Sequence, residues 1–201
     1  EMRNSFLRMR QISSGFLGYT NDETGERAKY VFPVNPKLDY LMDDLDTVVD
    51  QAKAIVFHEF IYSGDVIERE LRDMGIGFVR IKAGASEEEI DEALAAFDRD
   101  DSKRVFLVNN AIGAMGLNLQ VAQYTLYYES PVSYIIRKQS ERRSRRQYSQ
   151  HDTVFRYDYL VRGTEDENIL AFHAEGEDLF ARIIEGIKRP TSKAGLGFES
   201  D

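Results

Sequence analysis

The chain has 201 residues, with 26 Lys and Arg against 35 Asp and Glu, 42% apolar residues and no cysteine. These figures describe one ordinary domain with a sizeable core, and they exclude a disordered segment, a disulfide scaffold, a thiolate nucleophile and a cysteine zinc site. No apolar run approaches the roughly 18 residues of a membrane span, and Glu1-Met2-Arg3-Asn4 lacks the apolar stretch of a secretory signal. His58, His151 and His173 are too scattered for a metal-ligand spacing. A cytoplasmic protein without a structural metal is expected, and Glu rather than Met at position 1 fits a piece of a longer chain.

Residues 1–35 read as a lead-in segment followed by a loop, because Gly18, Asn21, Gly25, Pro33 and Asn35 crowd its second half. PKLDYLMDDLDTVV (36–49) then has the period of an amphipathic helix with Leu38, Leu41, Met42 and Leu45 inward. AIVFH (54–58) reads as a buried strand. Ser63 is a candidate cap for a helix that places Ile67, Leu71 and Met74 on one face and stops at Gly75. FVRIK (78–82) is the next strand. Ser86 with Glu89 forms a capping box before an acidic helix whose apolar stripe is Ile90, Leu94 and Phe97. RVFLV (104–108), a glycine-bearing loop NNAIGAMGLNLQ (109–120) and QYTLYY (123–128) follow, then a basic segment of helical composition and TVFRYDYLV (153–161). EDLFARIIEGIK (177–188) reads as a closing helix, so the expected division is a lead-in over 1–35, one α/β domain over 36–175 and a closing helix with tail over 176–201.

Strands separated by helices of about a dozen residues need crossover connections, so the sheet should be mainly parallel with right-handed crossovers. Functional residues of such sheets sit on loops at the C-terminal ends of the strands. Three loops qualify: HEFIYSG after the first strand, NNAIGAMGLNLQ after the third, and ESPVS with the basic segment after the fourth. Gly113 and Gly116 permit close backbone approach to a phosphate, but the loop is neither a G-x-x-x-x-G-K-[ST] nor a G-x-G-x-x-G cradle. A tight turn joining two buried strands accounts for it equally well.

The net charge of −9 argues against generic nucleic-acid binding, yet RKQSERRSRR (137–146) holds six basic residues against one acid, a local +5 that leaves −14 for the remainder. Like charges at neighbouring and i,i+3 positions repel by about a few tenths of a kcal/mol each, so an anion should compensate Arg142, Arg143, Arg145 and Arg146. Helical spacing puts Gln139, Arg143 and Arg146 on one face and Arg142 and Arg145 to the side. The simpler alternative is a solvated basic helix paired with the protein's own acidic face.

Taken together, AIVFHEF, NNAIGAMGLNLQVAQYTLYYESPVS and the Q-x-x-x-R-x-x-R run from Gln139 to Arg146 resemble motifs IV, V and VI of the C-terminal RecA-like lobe of superfamily-two ATPases, within it the Swi/Snf-type DNA translocases. KLDYLMDDL, RIKAGASEEE and LVRGTEDENIL fall where that family places its lead-in helix, a glycine loop and a closing strand-to-helix junction. The resemblance implies a three-layer α/β sandwich, a P-loop NTPase-type second lobe without its own Walker A motif. It implies Arg143 and Arg146 as arginine fingers toward the ATP γ-phosphate, with Gly116, Leu117, Asn118 and Gln139 at the ATP cleft and His58, Asn109 and Asn110 on the DNA backbone. ATP and Mg would be bound mainly by an N-terminal RecA-like lobe of the same polypeptide, and DNA, duplex in this family, would be the partner.

Several positions depart from the family pattern. Asn109-Asn110 stand where Swi/Snf proteins usually have Ser-Thr, Ala114 replaces a glycine, Arg142 and Arg145 replace an aspartate and a histidine, and Gln147 to Gln150 replaces Ile-Gly-Gln. They point to a divergent bacterial or phage-like branch. An RNA helicase lobe, or a non-catalytic interaction domain of the same fold, are the alternative readings. Tyr124, Tyr127 and Tyr128 read as packing and rim residues, His58 as a strand-end histidine before a DNA contact, and Glu59 and Glu129 as helix-cap or salt-bridge residues.

Overall fold

The computed structural model describes residues 2–113, 117–144 and 151–176, and for residues 2–4, 143 and 144 it describes the backbone alone. Helix α1 (Met2–Ser13) opens the chain, followed by strands β1 (Phe16–Thr20) and β2 (Arg27–Val31). These two form an antiparallel hairpin in which Leu17 faces Tyr30 and Phe16 faces Val31. The expected loop over 18–35 is therefore corrected. Its turn residues are confined to the hairpin tip, where Asn21 Oδ1 accepts from the backbone of Glu23 and Thr24 and Gly25 takes φ +70°, while the flanking aromatic and β-branched residues supply the strands.

Helix α2 (Pro36–Val48) starts at Asn35, whose side chain accepts from the Leu38 amide, and it buries Leu38, Leu41, Met42 and Leu45 as its periodicity predicts. Strand β3 (Ala54–His58) is buried throughout. Helix α3 (Ile61–Asp73) begins two residues before Ser63, with Phe60 at the cap position and no side-chain cap of its own. β4 (Phe78–Ile81), α4 (Glu87–Arg99) with its Ser86–Glu89 capping box, and β5 (Val105–Asn109) follow as the sequence predicts. The short α5 (Asn110–Gly113), β6 (Tyr124–Tyr127), α6 (Tyr134–Ser144), β7 (Phe155–Asp158) and α7 (Glu165–Glu175) complete the described residues. The expected helix over 177–188 lies outside them.

The five strands β3 to β7 form one parallel sheet in the order β4-β5-β3-β6-β7, the expected α/β, RecA-like sandwich. Alternation along the strands divides the core. Ala54, Val56, Val105, Leu107 and Leu126 point to the layer of α2 and α3, and Ile55, Phe57, Phe106, Val108 and Tyr127 to the layer of α4 and residues 117–122. A third, smaller cluster of Phe6, Val132, Ile169 and Phe172 joins α1 to α7. A buried pair, Lys37 Nζ to Asp166 Oδ2 at 2.9 Å, ties the start of α2 to the first turn of α7.

Candidate functional site

Three adjacent strands end at one edge, and their last residues converge. His58 pairs in register with Asn109, and β6 delivers Glu129 on the other side of β3. Glu129 organises this edge: Oε2 accepts from the backbone amides of Glu59 at 2.7 Å and Phe60 at 3.2 Å, and Oε1 accepts from the Ser63 hydroxyl. It is a cap supplied from a distant strand end, a negative charge that holds the amides of Glu59 and Phe60 leading into α3. The Ser63 cap read from the sequence is thus corrected, since Ser63 donates from inside the helix while the carboxylate does the capping.

Asn110 is 1% exposed; its Nδ2 donates to Glu59 Oε2 at 2.7 Å and to the Glu129 carbonyl at 2.9 Å, leaving Oδ1 buried without a partner. Asn109 is half-buried, donates to the Glu59 carbonyl at 2.8 Å and accepts from the Ala111 amide. His58 is 3% exposed, with Nδ1 3.0 Å from the Phe60 carbonyl and Nε2 buried and unpaired. Burial holds His58 below the usual histidine range, against the opposing pull of Glu129. Glu59 is pushed up, again by burial. The three residues expected to meet a nucleic-acid backbone are therefore together, but each already holds another part of this edge in place.

Gly113 packs against β3, and a Cβ there would lie 2.3 Å from Phe57 Cε1. Close packing on an aromatic ring, not approach to a phosphate, explains this glycine. Leu117 is buried in the core layer beside α4, whereas Asn118 is exposed. Gly116 lies outside the described residues.

Helix α6 is seated through Arg137. Its guanidinium lies 3.6 Å from the centre of the Tyr127 ring, makes a two-pronged pair with Asp158 at 2.5 and 2.8 Å, and donates through Nε to Glu141 at 2.8 Å. Ser140 meets the Tyr127 hydroxyl at 2.6 Å. Glu141 also pairs with Lys138 and Arg156. Part of the local positive charge is thus spent inward, as the simpler alternative expects. The outward face differs: Gln139 and Arg142 are exposed and line an open hollow of about 530 Å³ with Tyr134, Ile135 and Lys138. Arg143 follows Gln139 by one turn within α6, and Arg146 lies outside the described residues. Sequence reasoning missed Arg137 and Asp158, because each acts across the fold where no local pattern reveals a partner; Glu129, read as a helix-cap or salt-bridge residue, is a cap, but of a helix that no local pattern identifies.

With this geometry in view, the family model for the helicase conserved C-terminal domain matches residues 36–148. The chain belongs to that family. It is 27% identical over 158 residues to DNA repair protein RAD5 of Cryptococcus neoformans, covering 77% of this chain and 13% of that protein. It is 28% identical over 131 residues to the Drosophila melanogaster homolog of a SWI/SNF-related regulator of chromatin containing DEAD/H box 1, covering 63% of this chain and 15% of that protein. The solved C-terminal part of the Fun30 ATPase domain superposes with a TM-score of 0.65 at 20% identity, over 69% of this chain and 45% of that one. The SWI/SNF-related class is named among these relatives. The chain spans about a seventh of the length of these two curated relatives. Among the described residues, no helix is long and apolar enough to cross a membrane, and no cluster of three metal-ligating side chains occurs.

Proposed function

We propose that this chain is the second lobe of an ATP-dependent DNA translocase, completing a nucleotide cleft whose other wall is an N-terminal RecA-like lobe. What carries the reading is α6: a helix fixed on its inner side by Arg137 presents Gln139 outward, with the Q-x-x-x-R-x-x-R pattern continuing from it. In that role Arg143 and Arg146 are arginine fingers. Phosphoryl transfer spreads negative charge over the γ-phosphate oxygens, and planar guanidinium donors held by a separate lobe make the reaction depend on lobe closure. Asn118, Gln139 and the backbone at Gly116 and Leu117 border the same cleft. ATP and Mg are held mainly by the opposite lobe.

The edge formed by His58, Asn109 and Asn110 faces the DNA backbone in this proposal, with Asn109 the most accessible of the three and the other two setting its position. Contact through a few such groups on a protein of net charge −9 gives weak, salt-sensitive binding, each phosphate contact adding about one unit to the salt slope. Names such as DNA repair protein among the relatives favour DNA over RNA. A cytoplasmic compartment and a bacterial or phage-like branch belong to the same proposal.

The experiment is DNA-stimulated ATP turnover of a polypeptide carrying both lobes, compared with its Arg143→Ala and Arg146→Ala variants. Loss of about 10³-fold is expected for each, with Arg146→Lys failing to restore it because a point charge lacks the fork. Unchanged turnover would falsify the finger assignment. The melting temperature of the 201-residue chain should hold or rise, because each substitution relieves repulsion along the helix.

A further inference from the structure

Arg10 is 4% exposed and lies outside the residues matched by the family model. It reaches from α1 to the candidate site. One terminal nitrogen donates to the Ser130 carbonyl at 2.7 Å, and the guanidinium carbon is 5.5 Å from the centre of the Phe60 ring, while Nε is buried without a partner. Phe60 starts α3 and Ser130 follows Glu129, so both contacts fall on the loops that hold Asn109 and Asn110. Among the influences that oppose burial at Glu59, the Arg10 charge is the largest, ahead of the Asn110 hydrogen bond.

A methionine at position 10 would pack on Phe60 without the desolvation of a half-paired guanidinium, so packing alone gives no reason for a charge here. The carboxylates give one. The Glu129 carboxylate accepts from the Glu59 amide at 2.7 Å, which brings two carboxylates to one edge, and Asn110 bridges the Glu59 carboxylate to the Glu129 carbonyl. Without a neighbouring cation, Glu59 gains by turning toward water. Asn110 then loses an acceptor, and Asn109, which holds the Glu59 carbonyl, follows it.

We propose that Arg10 is a positioning residue that keeps Glu59 against Asn110 and thereby sets the loops after β3 and β5 for contact with a nucleic-acid backbone. The inference rests on the proposed role of those loops and makes the lead-in helix a working part of the site. Loss of Arg10 also leaves a free carboxylate on the face that meets phosphates, which opposes binding directly.

The test uses the 201-residue chain as wild type, Arg10→Met, Arg10→Lys, Glu59→Gln and the double variant Arg10→Met/Glu59→Gln. Labelled duplex DNA is titrated at low salt, and the side-chain amide signals of Asn109 and Asn110 are followed by NMR without DNA. Arg10→Met is expected to weaken binding by about tenfold and to shift both amide signals, and the double variant to return both readouts close to Glu59→Gln, as contacting residues in one network couple. Arg10→Lys, which keeps the charge, is expected to stay within about twofold of wild type. A general loss of packing would not be rescued by a substitution at Glu59. Unmoved amide signals in Arg10→Met, or a loss that Glu59→Gln leaves in place, overturns the proposal. Should Arg10→Met fail to fold, Arg10→Lys decides, since shifted amide signals there contradict a role through charge. Wild-type protein that binds no DNA while the amide signals behave as expected refutes the function of the loops and leaves the positioning contact standing.

Discussion

Two of the buried polar clusters among the described residues are satisfied to different degrees. At the junction of α2 and α7, Lys37 and Asp166 have side chains only 2% and 5% exposed, Asp166 accepts from the Val161 amide as well, and Lys37 lies 5.3 Å from the Tyr128 ring centre. Neither side chain has a buried atom without a partner. At the ends of β3, β5 and β6 the cluster is larger but incomplete, with Arg10 Nε, Asn110 Oδ1 and His58 Nε2 all buried and unpaired. Since unsatisfied buried groups are uncommon in folded proteins, the first cluster reads as a clamp between helices and the second as an edge with hydrogen-bonding capacity left over. A site for a polar ligand has that character.

The largest effect should come from breaking the complete cluster. Asp166→Ala leaves Lys37 as an uncompensated buried cation and is expected to destabilise the chain by about 3–5 kcal/mol, measured by urea unfolding. Replacing the pair together, Lys37→Met with Asp166→Leu, should recover most of that loss, because a matched apolar pair avoids the desolvation of two charges. A clamp that serves only the fold predicts DNA binding unchanged in the folded double variant.

Glu129→Ala should cost less, about 2 kcal/mol, because it removes an acceptor from two part-buried amides and a buried hydroxyl without leaving an opposite charge unpaired. Its further effect separates the two clusters. Hydrogen exchange should rise at Glu59, Phe60 and the first turn of α3 while the middle of β3 stays protected, and an even loss of protection over the sheet would contradict the view of Glu129 as a local cap.

Much of this fold is legible in the sequence, for a physical reason. The strands are continuous apolar runs, α2 and α4 carry full-length apolar stripes, and Ser86 with Glu89 is a local capping device, so each element announces itself within about a dozen residues. The hairpin over Phe16–Val31 escapes because its two glycines and Asn21 outweigh a short, half-exposed alternation. The site is legible only in outline. That His58, Asn109 and Glu129 lie near one edge follows from a parallel sheet, but Glu129 capping the start of α3 from 69 and 70 residues away, or Arg137 seating α6 through Asp158, depends on pairings that no spacing encodes. Gly113 is similar: its need for glycine comes from Phe57, which is remote in sequence.

The smallest effect concerns His58. Its folded pKa lies below the ordinary value of 6.5, so near and below that value the unfolded chain binds more protons than the folded one, and stability must fall as pH drops. Burial is the main cause; Arg80 adds to it, while Glu129, Asp65 and the Phe60 carbonyl oppose it. His173 in α7 shifts in the same direction, so the wild-type slope contains both histidines. Urea midpoints from pH 7.5 to 5.5 should therefore decline in wild type, decline less in His58→Leu, and decline less again when His173 is also replaced. The absolute stability of His58→Leu carries its own cost from the lost contact with the Phe60 carbonyl, which makes the slope, not the midpoint at any one pH, the quantity that reports on the buried imidazole. A His58→Leu slope equal to that of wild type would mean that protons reach Nε2 without opening the edge, and that this cluster is wetter than its unpaired atoms imply.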